Sequence, residues 1–576
     1  MKTLNLHCDY IKFKGLKKAL KKVDEIAPKQ ELEGSSKECL VVMIAVESGD
    51  SKGSVGELVK NVKDVASSVG AKNVVLYPYA HLSKDLGKPE VAVEVLNEAG
   101  KKLKKDFSVV SAPFGYYKSF ELKVKGHPLS ELSREIKGGV VKGDEAEDLS
   151  DKEREKLWKI MSKIKMQSIR GEDDKKSNVE LGKELDLYIV NEVIGQGLPL
   201  LTPKGAAIQR ELENFIVTEE LKRGYEYTST PIMAKSDLYK ISGHWYHFKD
   251  DMFTLDVHGE EFALRPMTCP FQFVLYKRKP RSYKDLPKKY AEIATLFRNE
   301  KSGELRGLTR VRQFNLADAH LICTPEQVEE EFGKVIELVN FMMKNLGIDD
   351  IWYRFSKWDP KNKEGKFIDS PKAWASTEKS MKKILDNLKI KYKEAKGEAA
   401  FYGPKLDLQY KDVYGKEDTL LTVQIDFALP DKFGLTYLDK NGKEKKPIII
   451  HRSAAGATER VMAYLLEKTQ GSLPLWLSPV QVKILTMNEE IISYANEVKE
   501  KLLLEGIRVE TDFSDESISK KIRNGYADKA YYMLALGKNE QSAKKLAVRE
   551  RGVKEISEMN LNSFVEKLKK EILEKK

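Results

Sequence analysis

The sequence predicts a multidomain α+β protein, with α/β segments at both ends and a mixed segment containing antiparallel strands between them. The chain has 576 residues, which is enough for several domains with separate cores. β-Branched runs alternate with helical apolar spacing near both termini. In the middle, two strand-like stretches flank a loop rich in glycine and charge, a pattern that indicates a long hairpin.

The first region is predicted to be a small α/β domain. Residues 41–46 and 74–77 read as strands, and residues 55–68 and 91–103 read as helices. The glycine pair Gly138-Gly139 and an acidic stretch at 144–151 then mark a boundary. We therefore place the first domain at residues 1–140.

A connecting segment is predicted at residues 141–177. Residues 152–166 fit a basic helix, and residues 171–177 fit a solvated joint. A second domain then covers residues 178–473. Near its start, Thr202 followed by Pro203 fits the N-cap and first turn of a helix that runs toward Leu221.

The final domain is predicted at residues 474–576, where alternation of strands and helices returns. Strands are expected at 480–485, 507–511, 532–536 and 546–549, and helices at 491–504 and 561–573.

Composition predicts a soluble protein of the cytoplasm. The chain is 41% hydrophobic and 33% charged, and it has neither an apolar run that could span a bilayer nor a signal-peptide cleavage site. Its four cysteines are far apart and show no disulfide framework, which fits a reducing compartment. The net charge of +11 suits a polyanionic partner such as RNA, although ordinary solvated lysines would also explain it.

The predicted hairpin covers residues 292–322 and carries charged side chains on one face. A solvated amphipathic hairpin is the alternative, but Phe314 and Leu316 share that face and disfavour it. We therefore expect a cleft that contains Arg298, Glu300, Arg310, Asp318 and His320.

A metal site is predicted from one cysteine and two histidines. Cys269 precedes a proline at a strand-to-helix turn, His320 lies in the hairpin, and His451 ends an isoleucine-rich strand. Each residue alone would more often be a buried structural side chain. Together, a thiolate and two imidazoles can hold zinc and leave one coordination position open.

The chain resembles a known family at several motifs. Residues 297–300 (Phe-Arg-Asn-Glu) and the returning strand resemble motif 2 of class II aminoacyl-tRNA synthetases, residues 456–460 resemble motif 3, and Pro231 resembles the motif 1 proline of the dimer interface. The Cys269, His320 and His451 set on those motifs is specific. With the segments 243–245, 401–405 and 422–427, it identifies the chain as a member of the threonyl-tRNA synthetase family over essentially its whole length.

The resemblance implies threonine, ATP and threonine tRNA as substrates, a homodimer, one zinc ion per chain, and magnesium with ATP. Catalysis is assigned by it to Arg298, Lys405 and Arg460. ATP binding is assigned to Arg298, Glu300, Arg310, Gln424 and Arg460, and threonine binding to Asp318 and Tyr402. Arginine suits these positions because its planar fork contacts phosphate oxygens in pairs and keeps its charge.

The implied threonine site should exclude valine but not serine. Valine has no hydroxyl for zinc and Asp318, a mismatch worth a factor of about 10⁴ or more, whereas serine lacks only a methyl group, worth roughly 1–3 kcal/mol. A second, editing site is therefore expected. One departure is Leu316, where the bacterial enzymes carry a polar glutamine.

In the first domain, the segments 7–10, 77–81, 114–118 and 126–131 resemble the archaeal threonyl-tRNA synthetase editing domain. That domain is similar in fold to D-aminoacyl-tRNA deacylases. The resemblance assigns editing to His81, Tyr117, Lys118 and Glu131. The bacterial editing motif His-x-x-x-His is missing from the sequence, which favours the archaeal type. The alternative is an accessory α/β domain without hydrolytic activity.

The last domain resembles the class II anticodon-binding domain. Lys520, Lys521 and Arg523 are expected to form a basic helical patch for phosphate contacts, and the resemblance assigns Glu540 and Arg549 to anticodon bases. Two other functions stay open: another class II synthetase, such as one for serine or proline, and a tRNA-binding paralogue without catalysis. The metal triplet disfavours the first, and the intact arginines disfavour the second.

Overall fold

The structure is a computed structural model that forms two compact units, Met1–Asp151 and Lys152–Lys576. It describes residues 1–20, 22–28, 30–136, 151–163, 166, 171, 174–361, 367 and 370–576. The predicted boundary at Gly138-Gly139 and most of the acidic stretch therefore lie outside the described residues. The α+β fold class, with its separate cores, is confirmed.

The first unit contains six strands and three helices among its described residues. The strands are β1 (Lys2–Lys18), β2 (Glu33–Ala45), β3 (Asn73–Pro78), β4 (Ser108–Ser111), β5 (Tyr116–Val124) and β6 (Glu131–Glu135), and the helices are α1 (Val23–Ile26), α2 (Val55–Val69) and α3 (Pro89–Leu103). The two strands and two helices predicted here are confirmed within one to eight residues at each end.

The sheet of the first unit has the order β4-β3-β2-β1-β5, with β6 also pairing with β1. β2, β3 and β4 are parallel, because α2 and α3 connect them, whereas β1 runs antiparallel to β2, β5 and β6. Both helices have a strongly amphipathic pattern and pack their apolar faces on one side of the sheet. A second apolar cluster, which includes Phe13 and Tyr77, lies on strands of the same sheet.

The second unit begins with the elements that build the predicted cleft. Its helices up to residue 469 are α4 (Asp151–Met161), α5 (Asn178–Glu184), α6 (Pro203–Lys222), α7 (Ser236–Ser242), α8 (His244–His247), α9 (Cys269–Lys277), α10 (Val328–Asn345), α11 (Pro371–Asn387), α12 (Leu429–Phe433) and α13 (Thr458–Thr469). Its strands over the same range are β7 (Tyr188–Ile189), β8 (Leu200–Leu201), β9 (Glu226–Tyr227), β10 (Met233–Lys235), β11 (Thr254–Val257), β12 (Glu260–Leu264), β13 (Lys288–Phe297), β14 (Gln313–Cys323), β15 (Trp352–Lys357), β16 (Tyr392–Lys396), β17 (Lys405–Lys411), β18 (Glu417–Asp426), β19 (Tyr437–Leu438), β20 (Glu444–Lys445) and β21 (Ile448–Ala457).

An eight-stranded, mainly antiparallel sheet has the order β16-β15-β17-β18-β21-β14-β13-β9. The predicted hairpin is confirmed as the pair β13–β14. Its strands are shorter than expected, since β13 ends at Phe297 and β14 begins at Gln313. Arg298, Glu300 and Arg310 consequently lie in the connecting segment, where side chains need not alternate between the two faces of the sheet.

Helix α6 packs against this sheet. The Thr202 side chain accepts a hydrogen bond from the Gly205 amide, and Pro203 stands in the first turn, as predicted. Further along α6, Glu220 forms an ion pair with fully buried Arg452 of β21. This pair joins α6 to the strand that carries His451, and breaking it would leave an unpaired buried charge.

The end of the second unit forms its own small sheet, of order β23-β22-β24-β25-β26. These strands are β22 (Val482–Thr486), β23 (Val509–Asp512), β24 (Tyr532–Leu536), β25 (Leu546–Glu550) and β26 (Ile556–Met559), and the helices are α14 (Ile492–Leu504), α15 (Ile518–Ala527), α16 (Lys538–Ala543) and α17 (Leu561–Leu573). The predicted alternation is confirmed, and β26 is an additional strand.

Three expectations from the sequence were wrong in detail. The connecting helix α4 ends at Met161 rather than near residue 166. His451 lies inside β21 and not at its end, because the strand continues to Ala457. Lys521 is 1% exposed and donates to the carbonyl of Thr486, so it belongs to the interior and not to a basic patch.

All four cysteines are free and buried. Among the described helices, none has the length and apolar character needed to cross a membrane.

Candidate active site and metal centre

A cleft of about 240 Å³ opens on one face of the eight-stranded sheet. It brings together ten of the residues assigned to catalysis, ATP, threonine or metal, and Lys405 is not among them. The ten are Cys269, Arg298, Glu300, Arg310, Asp318, His320, Tyr402, Gln424, His451 and Arg460. Strand pairing explains the grouping, because directly opposed residues of neighbouring antiparallel strands point to the same face.

One row of the sheet carries most of the polar chemistry. His320 of β14 lies opposite His451 of β21, His451 opposite Gln424 of β18, and Gln424 opposite Lys405 of β17. Neighbouring strands are about 4.8 Å apart. The two imidazoles are therefore adjacent, and Lys405 lies on the same face two strands from His451.

Three buried donor atoms lie close enough for one metal ion. The sulfur of Cys269 and one nitrogen each of His320 and His451 are all within 4.8 Å of one another, and within the described part of the chain no second such group occurs. Cys269 reaches the cluster because it is the first residue of α9, which packs against β14. A thiolate and two imidazoles fit zinc.

The hydrogen bonds around the two histidines leave the right nitrogens free. Nδ1 of His320 lies 2.7 Å from Oε1 of Gln272, and Nε2 of His451 lies 2.9 Å from Oδ2 of Asp426. Since these oxygens only accept, the bonded nitrogens carry the protons. Nε2 of His320 and Nδ1 of His451 are then unprotonated, as a metal ligand must be.

Burial sets the protonation of the cluster when no cation is bound. It holds the pKa of the His320 imidazole well below its usual value, so that the ring is neutral. It also raises the pKa of the Cys269 thiol well above its usual value. A cation would therefore have to displace the thiol proton, and binding should release acid.

Two arginines form the other end of the cleft. Burial, and after it the charge of Arg460, lowers the pKa of the Arg298 guanidinium, which stacks 5.2 Å from the ring centre of Phe314. Arg460 donates to the carbonyls of Thr309 (3.2 Å) and Thr419 (2.5 Å). Two cations held this close create a strong binding site for an anion.

Asp318 lies between the metal ligands and the arginines. Burial raises the pKa of its carboxyl to about 6, and Oδ1 lies 3.9 Å from Nε2 of His320. Tyr402 stacks on the His451 ring at 4.9 Å and donates its hydroxyl to Gln424. Leu316 packs with an apolar cluster that includes Phe314, which explains why an apolar residue is accommodated there.

The predicted adenine contact, Glu300, is already engaged. Its Oε2 accepts from Nε and Nη2 of Arg310 at 2.9 and 2.8 Å, and Arg310 also pairs with Glu304 at 3.0 Å. These side chains lie on the exposed connecting segment of the hairpin and can be rearranged at little cost.

Sequence reasoning missed three residues of this site. His244 lines the cleft and packs edge-on against Phe401 at 4.9 Å. Gln272 and Asp426 orient the two histidines. A signal for Gln272 was present, because residues three apart on a helix face the same side and Gln272 follows Cys269 by three.

In the first unit, two of the four assigned editing residues share one neighbourhood. Lys118 donates to the carbonyls of Pro78 (3.2 Å) and Pro113 (2.9 Å) and lies 4.8 Å over the ring of Tyr77. Tyr77 contacts Tyr79, whose ring lies 5.4 Å from that of His81. Burial lowers the pKa of Lys118 to about 8.

The other two assigned editing residues are placed differently. Tyr117 is 64% exposed. Glu131 lies opposite Leu6 of β1, whereas Lys118 lies opposite Gly15, nine residues further along the same strand. The structure does not bring Glu131 into contact with Lys118.

In the C-terminal sheet, Glu540 caps its own helix by accepting from the amide of Gly537 at 2.8 Å. Arg549 lies on β25, and its Nε is buried with no hydrogen-bond acceptor among the described residues.

Comparisons with known proteins agree with this architecture. Residues 1–136 match the model of the archaea-specific editing domain of threonyl-tRNA synthetase, residues 246–469 the class II synthetase core domain for G, H, P, S and T, and residues 481–571 an anticodon binding domain. A solved structure, the RNA binding domain of threonyl-tRNA synthetase from Cryptosporidium parvum, is 36% identical with a TM-score of 0.65. It aligns with 69% of this chain and 98% of its own.

The chain belongs to the threonyl-tRNA synthetase family. The threonine–tRNA ligase of Clostridium botulinum (strain Eklund 17B) is 54% identical over 408 residues, which cover 70% of this chain and 63% of that relative. A threonyl-tRNA synthetase structure from Aeropyrum pernix is 28% identical, with a TM-score of 0.60, and covers 69% of this chain and 97% of its own. The archaeal type of first domain, expected from the sequence, is thereby confirmed.

Proposed function

We propose that this chain attaches threonine to its tRNA in two steps, first activating threonine with ATP and then transferring it to the RNA. The observation that carries the proposal is the single cleft in which a Cys/His/His cluster, buried Asp318 and the arginine pair Arg298 and Arg460 come together.

In the first step, the carboxylate of threonine attacks the α-phosphorus of ATP, forming a mixed anhydride while pyrophosphate leaves. Arg298 binds the α-phosphate and the carboxylate, since its buried guanidinium lines the cleft and interacts electrostatically with Glu300 and Asp318. Arg460 and Arg310 hold the terminal phosphates, and magnesium bound to ATP would supply further charge neutralisation for the leaving group. Arg310 exchanges its contact with Glu300 for phosphate, which frees Glu300 for the adenine.

Cys269, His320 and His451 would hold the zinc ion, which would supply Lewis-acid chemistry for the amino and hydroxyl groups of threonine. Asp318 accepts a hydrogen bond from the substrate hydroxyl, and Tyr402 covers the pocket where it stacks on His451. Valine cannot supply that hydroxyl and would leave Asp318 buried without a donor. Gln424 would contact ATP, and Lys405, which lies directly opposite it on the neighbouring strand, would act in catalysis.

The test is ATP–pyrophosphate exchange with threonine, serine, valine and proline, together with elemental analysis. We expect one zinc per chain and exchange that is greatest with threonine. Cys269→Ser should lose the metal and the exchange, whereas Cys323→Ser, which changes another buried cysteine of the same unit, should keep both. Full zinc content in Cys269→Ser would contradict the assignment.

A second activity is proposed for the first unit, the hydrolysis of seryl-tRNA. Its support is the editing-domain match over residues 1–136 and the Lys118 amine over the ring of Tyr77, which connects through Tyr79 to His81. Lys118 would hold the aminoacyl end, and the RNA's own 2′-hydroxyl would assist an attacking water. Tyr117 and Glu131 complete the assigned set.

This activity is tested with mischarged RNA. A chain that lacks residues 1–140 should charge tRNA with threonine but accumulate seryl-tRNA. Lys118→Ala should lose hydrolysis of added seryl-tRNA and keep aminoacylation, whereas the exposed Lys101→Ala on α3 should keep both. Unchanged clearance of seryl-tRNA by the truncated chain would reassign the first unit to an accessory role.

The remaining proposals concern assembly and RNA contacts. A homodimer is supported by exposed apolar side chains around Pro231 on the sheet β10-β12-β11, namely Ile232, Met233, Leu255 and Val257. The anticodon would be read by Glu540 and by Arg549, whose Nε has an unused donor. ATP and tRNA as substrates place the enzyme in the cytoplasm.

A further inference from the structure

A second polar row of the eight-stranded sheet leads away from the cleft. Thr422 of β18, which lines the cleft, lies opposite Asp407 of β17. Asp407 lies opposite Arg354 of β15, and Arg354 lies beside Lys393 of the edge strand β16. Lys405 lies two residues from Asp407 on the same strand face. The row spans three strand spacings, about 14 Å, from the cleft to the sheet edge.

These side chains point away from the core. The residues between them on the same strands, Phe355, Leu406 and Leu408, are buried in the main apolar cluster on the opposite face of the sheet. The side chains of Arg354 and Lys405 are 26% and 18% exposed, and Lys393 is exposed. The face that carries them is thus open to a ligand from solvent.

A fully buried carboxylate orients the cations. Asp407 accepts from Nη2 of Arg354 at 3.1 Å and from the hydroxyl of Ser356 at 2.6 Å, and its Oδ1 lies 3.2 Å from Nζ of Lys405. With Asp407 holding both, neither cation has the freedom of a surface side chain, so little conformational entropy is lost when a ligand binds. A cation on the solvated surface would not be positioned in this way by a buried carboxylate.

The row also has unused binding capacity. Nε of Arg354 is buried and meets no hydrogen-bond acceptor among the described residues. Lys393, Arg354 and Lys405 supply three cations against the carboxylate of Asp407, which leaves an excess of positive charge. An anion from solvent would pair with the exposed part of the Arg354 guanidinium.

We propose that Lys393 and Arg354, with Asp407 as a positioning residue, form a phosphate-binding track for the 3′ end of the RNA substrate as it enters the cleft. This inference rests on the proposed function. ATP would occupy the part of the cleft at Arg298 and Arg460, and the second polyanionic substrate would approach from the side of Thr422, where the row meets the cleft. The track begins at that side and carries the matching charge.

The test separates the two half-reactions in the full-length protein. Threonine-dependent ATP–pyrophosphate exchange needs no RNA, whereas aminoacylation does. We expect Arg354→Ala and Lys393→Ala to leave exchange within about twofold of wild type, while KM for tRNA rises by about tenfold for Arg354→Ala and less for Lys393→Ala. The matched control is Lys357→Ala, on β15 but on its other face, where Lys357 pairs with Glu394 at 2.7 Å.

Salt dependence supplies a readout that a structural role would not move. The slope of log kcat/KM for tRNA against log salt concentration should become shallower by about 0.7–0.9 for each cation removed, and the control should keep the wild-type slope. Asp407→Asn should raise KM for tRNA, because it removes the charge that holds Arg354.

Two results would overturn the track. If Lys393→Ala and Arg354→Ala matched wild type in aminoacylation and in the salt-dependence slope, RNA would not use the track. If exchange and aminoacylation fell equally, these residues would be assigned to the fold or to the first half-reaction. If wild type exchanged no pyrophosphate with threonine, the proposed function itself would fail, and this outcome is distinct from both.

Discussion

Asp426 should control metal affinity although it is not itself a ligand. Its carboxylate is fully buried; Oδ2 accepts from Nε2 of His451 at 2.9 Å, and Oδ1 accepts from the amides of Ala428 and Leu429 at 2.8 and 2.9 Å. The Asp426 carboxylate is the acceptor in each of these hydrogen bonds. Asp426→Asn keeps the shape of the side chain and exchanges one acceptor for a donor.

Neither orientation of the new amide can satisfy its neighbours. With its oxygen toward the two backbone amides, its NH₂ faces the proton on His451 Nε2 and pushes the ring toward the tautomer protonated on Nδ1, the nitrogen needed for the metal. With the amide turned over, the NH₂ faces two backbone N–H groups. Loss of such a supporting contact typically weakens metal binding by 10- to 100-fold, or about 1.4–2.8 kcal/mol.

Competition with a chelator of known zinc affinity, followed by elemental analysis, would measure this change. The matched control is Asp431→Asn on α12, whose side chain is exposed and pairs with Lys446. We expect the control to retain wild-type affinity and Asp426→Asn to lose zinc at a 10- to 100-fold lower chelator concentration. Equal affinity in both variants would refute the assigned tautomer of His451.

Three further outcomes are expected. Hydrolysis of seryl-tRNA, corrected for spontaneous hydrolysis, should fall as pH rises through about 8, because Lys118 then loses the proton with which it donates; Lys118→Arg should move this fall to higher pH. Gly456→Ala should destabilise the protein by about 1–3 kcal/mol in chemical denaturation. The φ angle of Gly456 is +97°, and a Cβ there would lie 2.4 Å from the carbonyl oxygen of Leu420. The control is Gly303→Ala, where an added Cβ would lie in open space. Sedimentation at micromolar concentration should give about twice the chain mass of 65.6 kDa, and Ile232→Asp should shift it toward the monomer; a wild-type monomer with full activity would contradict the dimer.

Local sequence signals were sufficient where neighbours in the chain decide the outcome. The Thr202-Pro203 start of α6, the hairpin β13–β14 and the helices α2, α3 and α17 all follow from capping, turn composition and apolar spacing. These features depend on interactions within one or two turns of chain, which the sequence displays directly.

The metal ligands could also be predicted from the sequence, but only because of the motifs around them. Cys269, His320 and His451 are far apart in the chain, and spacing alone could not have joined them. Pairing of β14 with β21 makes the two histidines neighbours, and the start of α9 brings the cysteine to them.

Other features depended on packing between distant segments. The sequence could not show that Asp426 and Gln272 orient the histidines, that His244 enters the cleft, or that Lys521 is buried. Nor could it show that Arg354, Asp407 and Lys393 lie in one row, because strands β15, β16 and β17 meet through long connections. The sequence by itself determined the local elements and the chemical types of the side chains; only strand register and helix packing decided which of them share a site.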